Sequence, residues 1–315
     1  MLVQLAAAER LALLRAMVVV ANGAGRHELS ETDIAAIRSV SRIIFSAPDD
    51  IDPCALAAIT PVELASVLGD DAGAAAAGRL LAVMALFDGV LEADRLAAAL
   101  RFGAALGLRE QYLIDLTEAA RGHLAWVGAD LTRQNVVSIT RGRSTHAGDL
   151  PLRPYGNGGD AALTQRYREL ARHAPGTLGR EFLEWYVAHH YPTPGEPQSL
   201  NEIFVRPHDS THLLSGYSTS PQGELLVSTF TSGMMGVDEP LGAHILPAML
   251  SLHVGVRIND VAGAWHCALA PQDFWRAWER GSRCRTNVFD AEWDFWGLAA
   301  VPLAELRAQY EIPPL

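Results

Sequence analysis

Apolar residues recur at helical spacing through most of the chain. Residues 1–125 are rich in Ala and Leu, and their apolar positions repeat every three to four residues. The first twenty residues are apolar in places. Glu9, Arg10 and Arg15 interrupt them, which predicts an amphipathic helix rather than a signal peptide. Strand signals are sparse. Asn135-Val136-Val137-Ser138-Ile139 predicts a short strand or an extended linker, because β-branched residues cluster there. Leu225 to Phe230 is also β-branched but lies inside a longer helical stretch. The fold class expected is all-α, with roughly ten or more helices of average length.

Turn chemistry divides the chain. Thr140-Arg141-Gly142-Arg143-Ser144 and Pro154-Tyr155-Gly156-Asn157-Gly158-Gly159 read as turn and linker. The expected organisation is a helical domain over 1–125, a linker over 126–160 and a second helical domain over 161–315. Six of the seven Trp fall in that last part. The first part contains a faint repeat of helix, Asn/Asp-Gly turn and acidic helix start. One copy is Asn22-Gly23 before Glu28 to Ile34; the other is Asp88-Gly89 before Glu92 to Leu96. Ser30 with Asp33 forms a capping-box pattern. Asp88, Glu92 and Asp94 read either as a cation or partner site or as turn and capping residues. Over about residues 5–120 this layout resembles the TerB-like helical domain associated with tellurite resistance.

Composition narrows the chemistry. The 25 basic side chains are all Arg, so no lysine Schiff base, pyridoxal-phosphate lysine or Walker-type lysine is available. The net charge of −11 argues against general nucleic-acid binding, which needs a basic surface. Cys54, Cys267 and Cys284 are far apart and form no C-x-x-C pair. A disulfide framework or a thiolate metal site is therefore not expected, and a reducing cytoplasm fits. The uncharged stretch from Pro240 to Val256 is shorter than the roughly 20 apolar residues of a spanning helix. A cytoplasmic protein, at most peripheral to the inner membrane, is expected.

The most informative segment is His208-Asp209-Ser210-Thr211-His212, followed by Glu224. At 100° per residue, His208, Asp209 and His212 share one sector of a helix. Imidazoles at i and i+4 can grip one cation from a single helical turn. Asp209 could ligate beside them or orient an imidazole. On a continuous helix Glu224 would lie roughly 18 Å away. Gly216 and the turn-rich Ser218 to Gly223 offer a reversal, with a second helix beginning at Glu224. The expectation is a helical hairpin carrying four ligands, His208, Asp209, His212 and Glu224. Zinc suits this nitrogen and oxygen set first; iron, manganese and cobalt are also compatible.

H-D-x-x-H followed after eleven residues by E resembles the signature of the Coq-four family of ubiquinone (coenzyme Q) biosynthesis proteins. Gly176 to Phe182 is similar to that family's G-[ST]-L-G-x-x-[YF] segment. Pro302 to Ile312 is similar to its closing P-L-x-x-L-R-x-x-x-x-I. The similarity spans about residues 163–315. The resemblance implies a helical protein holding a divalent metal through His208, Asp209, His212 and Glu224, which would also be the catalytic residues. It implies action on a prenylated aromatic or quinone-like molecule, at the oxidative removal of the C1 carboxyl group. It further implies membrane contact, association with other biosynthetic enzymes, and isoprenoid binding between helices; a homodimer is compatible with it.

Two features depart from the family. Arg206-Pro207 stands where a Y-R-x-x-H-D lead is usual, so the incoming helix should kink or restart at Pro207. The amino-terminal half is not part of the usual architecture. No nucleotide or flavin fingerprint is seen. Leu241 to Leu250 is apolar and kinkable, and reads either as a groove for an isoprenoid tail or as an ordinary buried helix. His189 and His190 read as an acid–base pair or as structural residues at a helix end. Competing functions are a non-catalytic isoprenoid or quinone-lipid binding or scaffold protein, and a metal-dependent hydrolase.

Overall fold

The computed structural model describes residues 5–47, 50–140, 153–236, 241–258, 263–266 and 268–315. Among them every regular element is helical. The β contacts are two isolated bridges, Thr177 with Pro302 and Val254 with His266. The all-α expectation holds. The described residues form two compact units that interleave along the sequence. One comprises residues 1–134 and 220–282, the other 135–219 and 283–315. The sequence signals suggested one linker over 126–160, whereas the chain changes unit at 134, 219 and 282. The segment 220–282 has its own dense apolar runs, and no turn signal marks which unit they join.

In the first unit, the helix Ala7–Ala21 packs against Glu31–Ser39, Pro61–Val67, Asp71–Met84 and Ala93–Ala105. Leu13, Met17 and Val20 are fully buried, but Ala12, Leu14, Ala16, Val18 and Ala21 are buried too, so the helix is covered round most of its circumference and lacks the amphipathic stripe expected of it. Small residues let helices approach closely. A Cβ on Gly281 would lie 2.1 Å from the Phe230 carbonyl oxygen, and one on Gly233 would lie 2.4 Å from that of Trp278. The helices Pro221–Met235 and Pro271–Arg283 therefore touch backbone to backbone. His253 is buried and neutral, because burial lowers its pKa. Its Nε2–H faces the Phe87 carbonyl at 3.0 Å, and its Nδ1 accepts from Leu269 N–H at 3.3 Å.

Asn135–Ile139 is neither strand nor linker. It ends the helix Leu124–Ile139. Val127, Leu131 and Ile139 are fully buried, so this helix forms on tertiary packing that overrides the local β preference. The Thr140–Ser144 turn signal lies mostly outside the described residues. The repeat signals hold as turn chemistry, with Gly23 and Gly89 at φ of 60° and 79°. Ser30 and Asp33 form the reciprocal capping box.

The acidic residues of the repeat surround an internal cation. Arg95 is 2% exposed. Its guanidinium binds Asp33 through both terminal nitrogens, at 2.9 and 3.0 Å, and meets Asp88 at 2.8 Å and Glu92 at 3.1 Å. Asp94 faces Arg26 and His27. These carboxylates are thus engaged by side chains of the same unit, which favours the structural reading over a cation site. Removing one partner of a buried ion pair leaves uncompensated charge.

A second acidic group is differently placed. Asp115 is 1% exposed, and its Oδ1 accepts no hydrogen bond among the described residues. Gln134 Nε2 donates to Asp115 Oδ2 at 2.8 Å and to Asp130 Oδ2 at 2.9 Å, joining the helices Gln111–Ala120 and Leu124–Ile139. Desolvation, aided by the Asp130 charge, pushes the Asp115 carboxyl up to about 7. Asp130, held by Arg133, is lowered instead.

Two predictions follow from these buried charges. Arg95→Ala should cost about 3–5 kcal/mol in chemical denaturation, because three carboxylates lose their common partner; a loss below ~1 kcal/mol would contradict the network. Asp115 holds its proton in the folded state at pH values where an unfolded Asp, with a pKa of about 3.9, has lost it. Its contribution is therefore complete below about pH 4 and is lost as pH rises through about 7. Melting curves of Asp115→Asn should lose that decline and exceed wild type at pH 8; profiles that run parallel from pH 4 to 8 would refute it.

Candidate metal centre

The helix Glu202–Ser215 carries the two imidazoles. Asn201 caps its start, accepting from Ile203 N–H at 3.0 Å. Gly216 ends it in the left-handed region at φ 81°, which Gly adopts without steric cost, and its N–H bonds to the His212 carbonyl at 2.8 Å. The helix does not restart at Pro207 but runs through it. Pro207 is the sixth residue of the helix, and Asp209 lies in its middle, not at its start.

The two remaining family-like segments lie beside one another, and the tail reaches this helix. Leu178 N–H and Gly179 N–H bond to the carbonyls of Val301 and Ala299, both at 2.9 Å. A Cβ on Gly179 would stand 3.0 Å from the Ala299 carbonyl, so Gly allows the close approach. The tail helix Leu303–Gln309 contributes Arg307. Its guanidinium donates to the carbonyls of Leu213 and Leu214, at 2.7 and 3.0 Å. These carbonyls belong to the helix's last turn, where intrahelical donors run out.

The His208 and His212 rings meet edge-to-face with centroids 4.9 Å apart, and their Nε2 atoms lie 3.3 Å apart. His212 is buried, and its Nδ1 lies 3.0 Å from the Tyr217 carbonyl oxygen. A carbonyl can only accept. Nδ1 therefore carries the proton, and Nε2 presents its lone pair towards His208. His208 is half-buried, stacked on Phe204 at 5.0 Å. Trp185 flanks His212 with centroids 5.7 Å apart.

The next helix, Pro221–Met235, starts three residues earlier than expected. Ser220 caps it and Pro221 occupies its first position. Glu224 lies in its first turn. His208, His212 and Glu224 each offer a ligand atom, and these three atoms all lie within 4.8 Å of one another. Asp209 is not in that group. It is 6% exposed, and its Oδ2 accepts from the Tyr186 hydroxyl. Burial, reinforced by the Asp209 charge, pushes the Tyr186 phenol well above its usual range, so it stays a donor.

The donor set fits a divalent cation. Two nitrogens on one tetrahedral zinc, at about 2.0–2.1 Å each, lie about 3.3 Å apart. The Nε2 separation matches that edge. Tyr186 and Tyr217 had no signal in the sequence: Tyr186 lies on another helix, and Tyr217 contributes only its backbone. His189 stacks between Trp185 and Tyr191, and His190 is an exposed left-handed helix cap. Leu241 to Leu250 lies in the helix Leu241–Leu252, packed along Pro221–Met235.

No protein-family model matches the chain, and no curated protein matches it. Among solved structures, a crystal structure from Nostoc punctiforme described as a "putative ubiquinone biosynthesis protein" aligns over 75% of this chain and 97% of its own. The identity is 17% and the TM-score 0.32.

Elemental analysis of protein dialysed against equimolar zinc should find about one zinc per chain in the wild type and a loss of at least roughly tenfold in occupancy in His212→Ala. Equal zinc in both would show that these imidazoles do not form the site.

Proposed function

We propose that the chain is a metal-dependent protein of quinone or prenylated-aromatic metabolism that removes a ring carboxyl group. The observation that carries this reading is the convergence of His208, His212 and Glu224, within a sequence motif that resembles the Coq-four signature. A divalent metal held by these three residues, zinc before iron, manganese or cobalt, would supply Lewis-acid stabilisation of an anionic oxygen on the substrate. Asp209, the fourth motif position, is engaged by the Tyr186 hydroxyl and holds no part of the group in this reading.

The chain's own residues prepare the site. Tyr217 fixes the tautomer of His212, so that no proton must leave Nε2 before it ligates. Arg307 neutralises the carbonyl end of the helix that carries the two imidazoles. Burial of His212 limits its solvation, while half-exposed His208 and Glu224 leave the group reachable. Trp185 and Phe204 border the imidazoles with apolar rings that suit a flat substrate. In carboxyl removal the bond from C1 to the carboxyl carbon breaks and carbon dioxide leaves. For this to balance, a proton from solvent first adds at C1 as the phenolate oxygen supplies the electrons and the ring becomes a dienone; the pair released by the breaking bond then restores the aromatic phenolate.

The test is turnover of a prenylated 4-hydroxybenzoate by the metal-loaded chain, under air and with a reductant, followed by mass spectrometry. Loss of the carboxyl group by the wild type and at least roughly a hundredfold slower loss by Glu224→Ala would support the proposal. Stoichiometric prenyl lipid in an organic extract of the purified protein, with no turnover, would instead assign a carrier or scaffold. Hydrolysis of generic esters alone would assign a hydrolase.

A further inference from the structure

Asp209 follows His208 directly, yet its carboxylate is committed elsewhere. It is 6% exposed, and Tyr186 Oη donates to its Oδ2. Tyr186 is itself 3% exposed and cannot readily swing away. Its ring stacks on Phe182 with centroids 5.0 Å apart, meets Trp185 edge-on at 5.4 Å, and meets Tyr191 edge-on at 6.3 Å. The same Trp185 borders His212. One aromatic cluster therefore packs against a candidate ligand and positions the hydroxyl that holds the neighbouring acid.

Ligand number decides what such a site can do. Four protein donors close a tetrahedral cation, whereas three leave one position for water or substrate. Resting on the metal reading above, we propose that Tyr186 is a positioning residue that keeps Asp209 off the metal, so that the cation is held by His208, His212 and Glu224 and can take an anionic ligand. The chemistry it would admit is a small anion or an anionic oxygen of an aromatic acid. Without the phenol donor, a buried carboxylate beside a cation gains most by turning to it.

Cobalt(II) reports this directly, because its visible bands respond to ligand number and type. The full chain is loaded with cobalt(II) and titrated with azide. The wild type should bind azide with a shift of those bands. Tyr186→Phe, which keeps the ring packing, should retain cobalt but bind azide roughly tenfold more weakly or worse. The double variant Tyr186→Phe/Asp209→Asn should recover azide binding, a rescue that a purely structural role for Tyr186 would not give. Equal azide affinity in wild type and Tyr186→Phe would overturn the proposal, as would cobalt binding with no azide response in the wild type. A Tyr186→Phe protein that fails to fold is replaced by Asp209→Asn alone, whose azide affinity must then equal that of wild type; a rise of roughly tenfold or more would show Asp209 already on the metal and overturn the proposal. Failure of the wild type to bind cobalt at all would overturn the metal reading itself, and this proposal with it.

Discussion

Two imidazole nitrogens face each other 3.3 Å apart across one helical turn. Two lone pairs at that distance repel unless something positive lies between them. The Tyr217 carbonyl assigns the proton of His212 to Nδ1, so the lone pair of its Nε2 is directed at His208. A proton on His208 satisfies this arrangement in part, and a divalent cation would satisfy it fully. Arg307 and the Tyr217 carbonyl meet the helix and the ring that form this pair.

The supporting features are structural in a specific sense. Arg307 from the tail takes the last carbonyls of the imidazole-bearing helix. Gly179 brings the start of the helix Leu178–His189 against the Ala299–Val301 backbone, and that helix delivers Tyr186 and Trp185. The segments that resemble family motifs thus need contain no ligand themselves. One of them takes the last carbonyls of the ligand helix, and the other seats the helix that carries Tyr186. The first unit manages charge in a parallel way: Arg95 gathers three carboxylates, and burial raises the Asp115 carboxyl to about 7.

Much of this was legible in the sequence. Helical periodicity gave the fold class. The i, i+4 spacing of His208 and His212 and the Gly216 to Pro221 turn chemistry sufficed to bring Glu224 into the discussion, because each signal is local. What stayed hidden depended on distant partners. Asp209 has the same helical phase as a ligand, yet Tyr186, 23 residues upstream, engages its carboxylate. Asn135–Ile139 has β-branched composition, but its helix had already begun at Leu124 and its buried face was set by packing. The pairing of 220–282 with the amino-terminal segment carries no local signal, since apolar faces do not encode which neighbour they meet.

The most direct measurement is X-ray absorption at the zinc edge of the zinc-loaded full chain. Two imidazole nitrogens and two oxygens at about 2.0–2.1 Å, with the imidazole signal lost in the variant lacking both His208 and His212, is the spectrum predicted. Sulfur neighbours at about 2.3 Å, or an oxygen shell without imidazole, would contradict a cation held between those two rings.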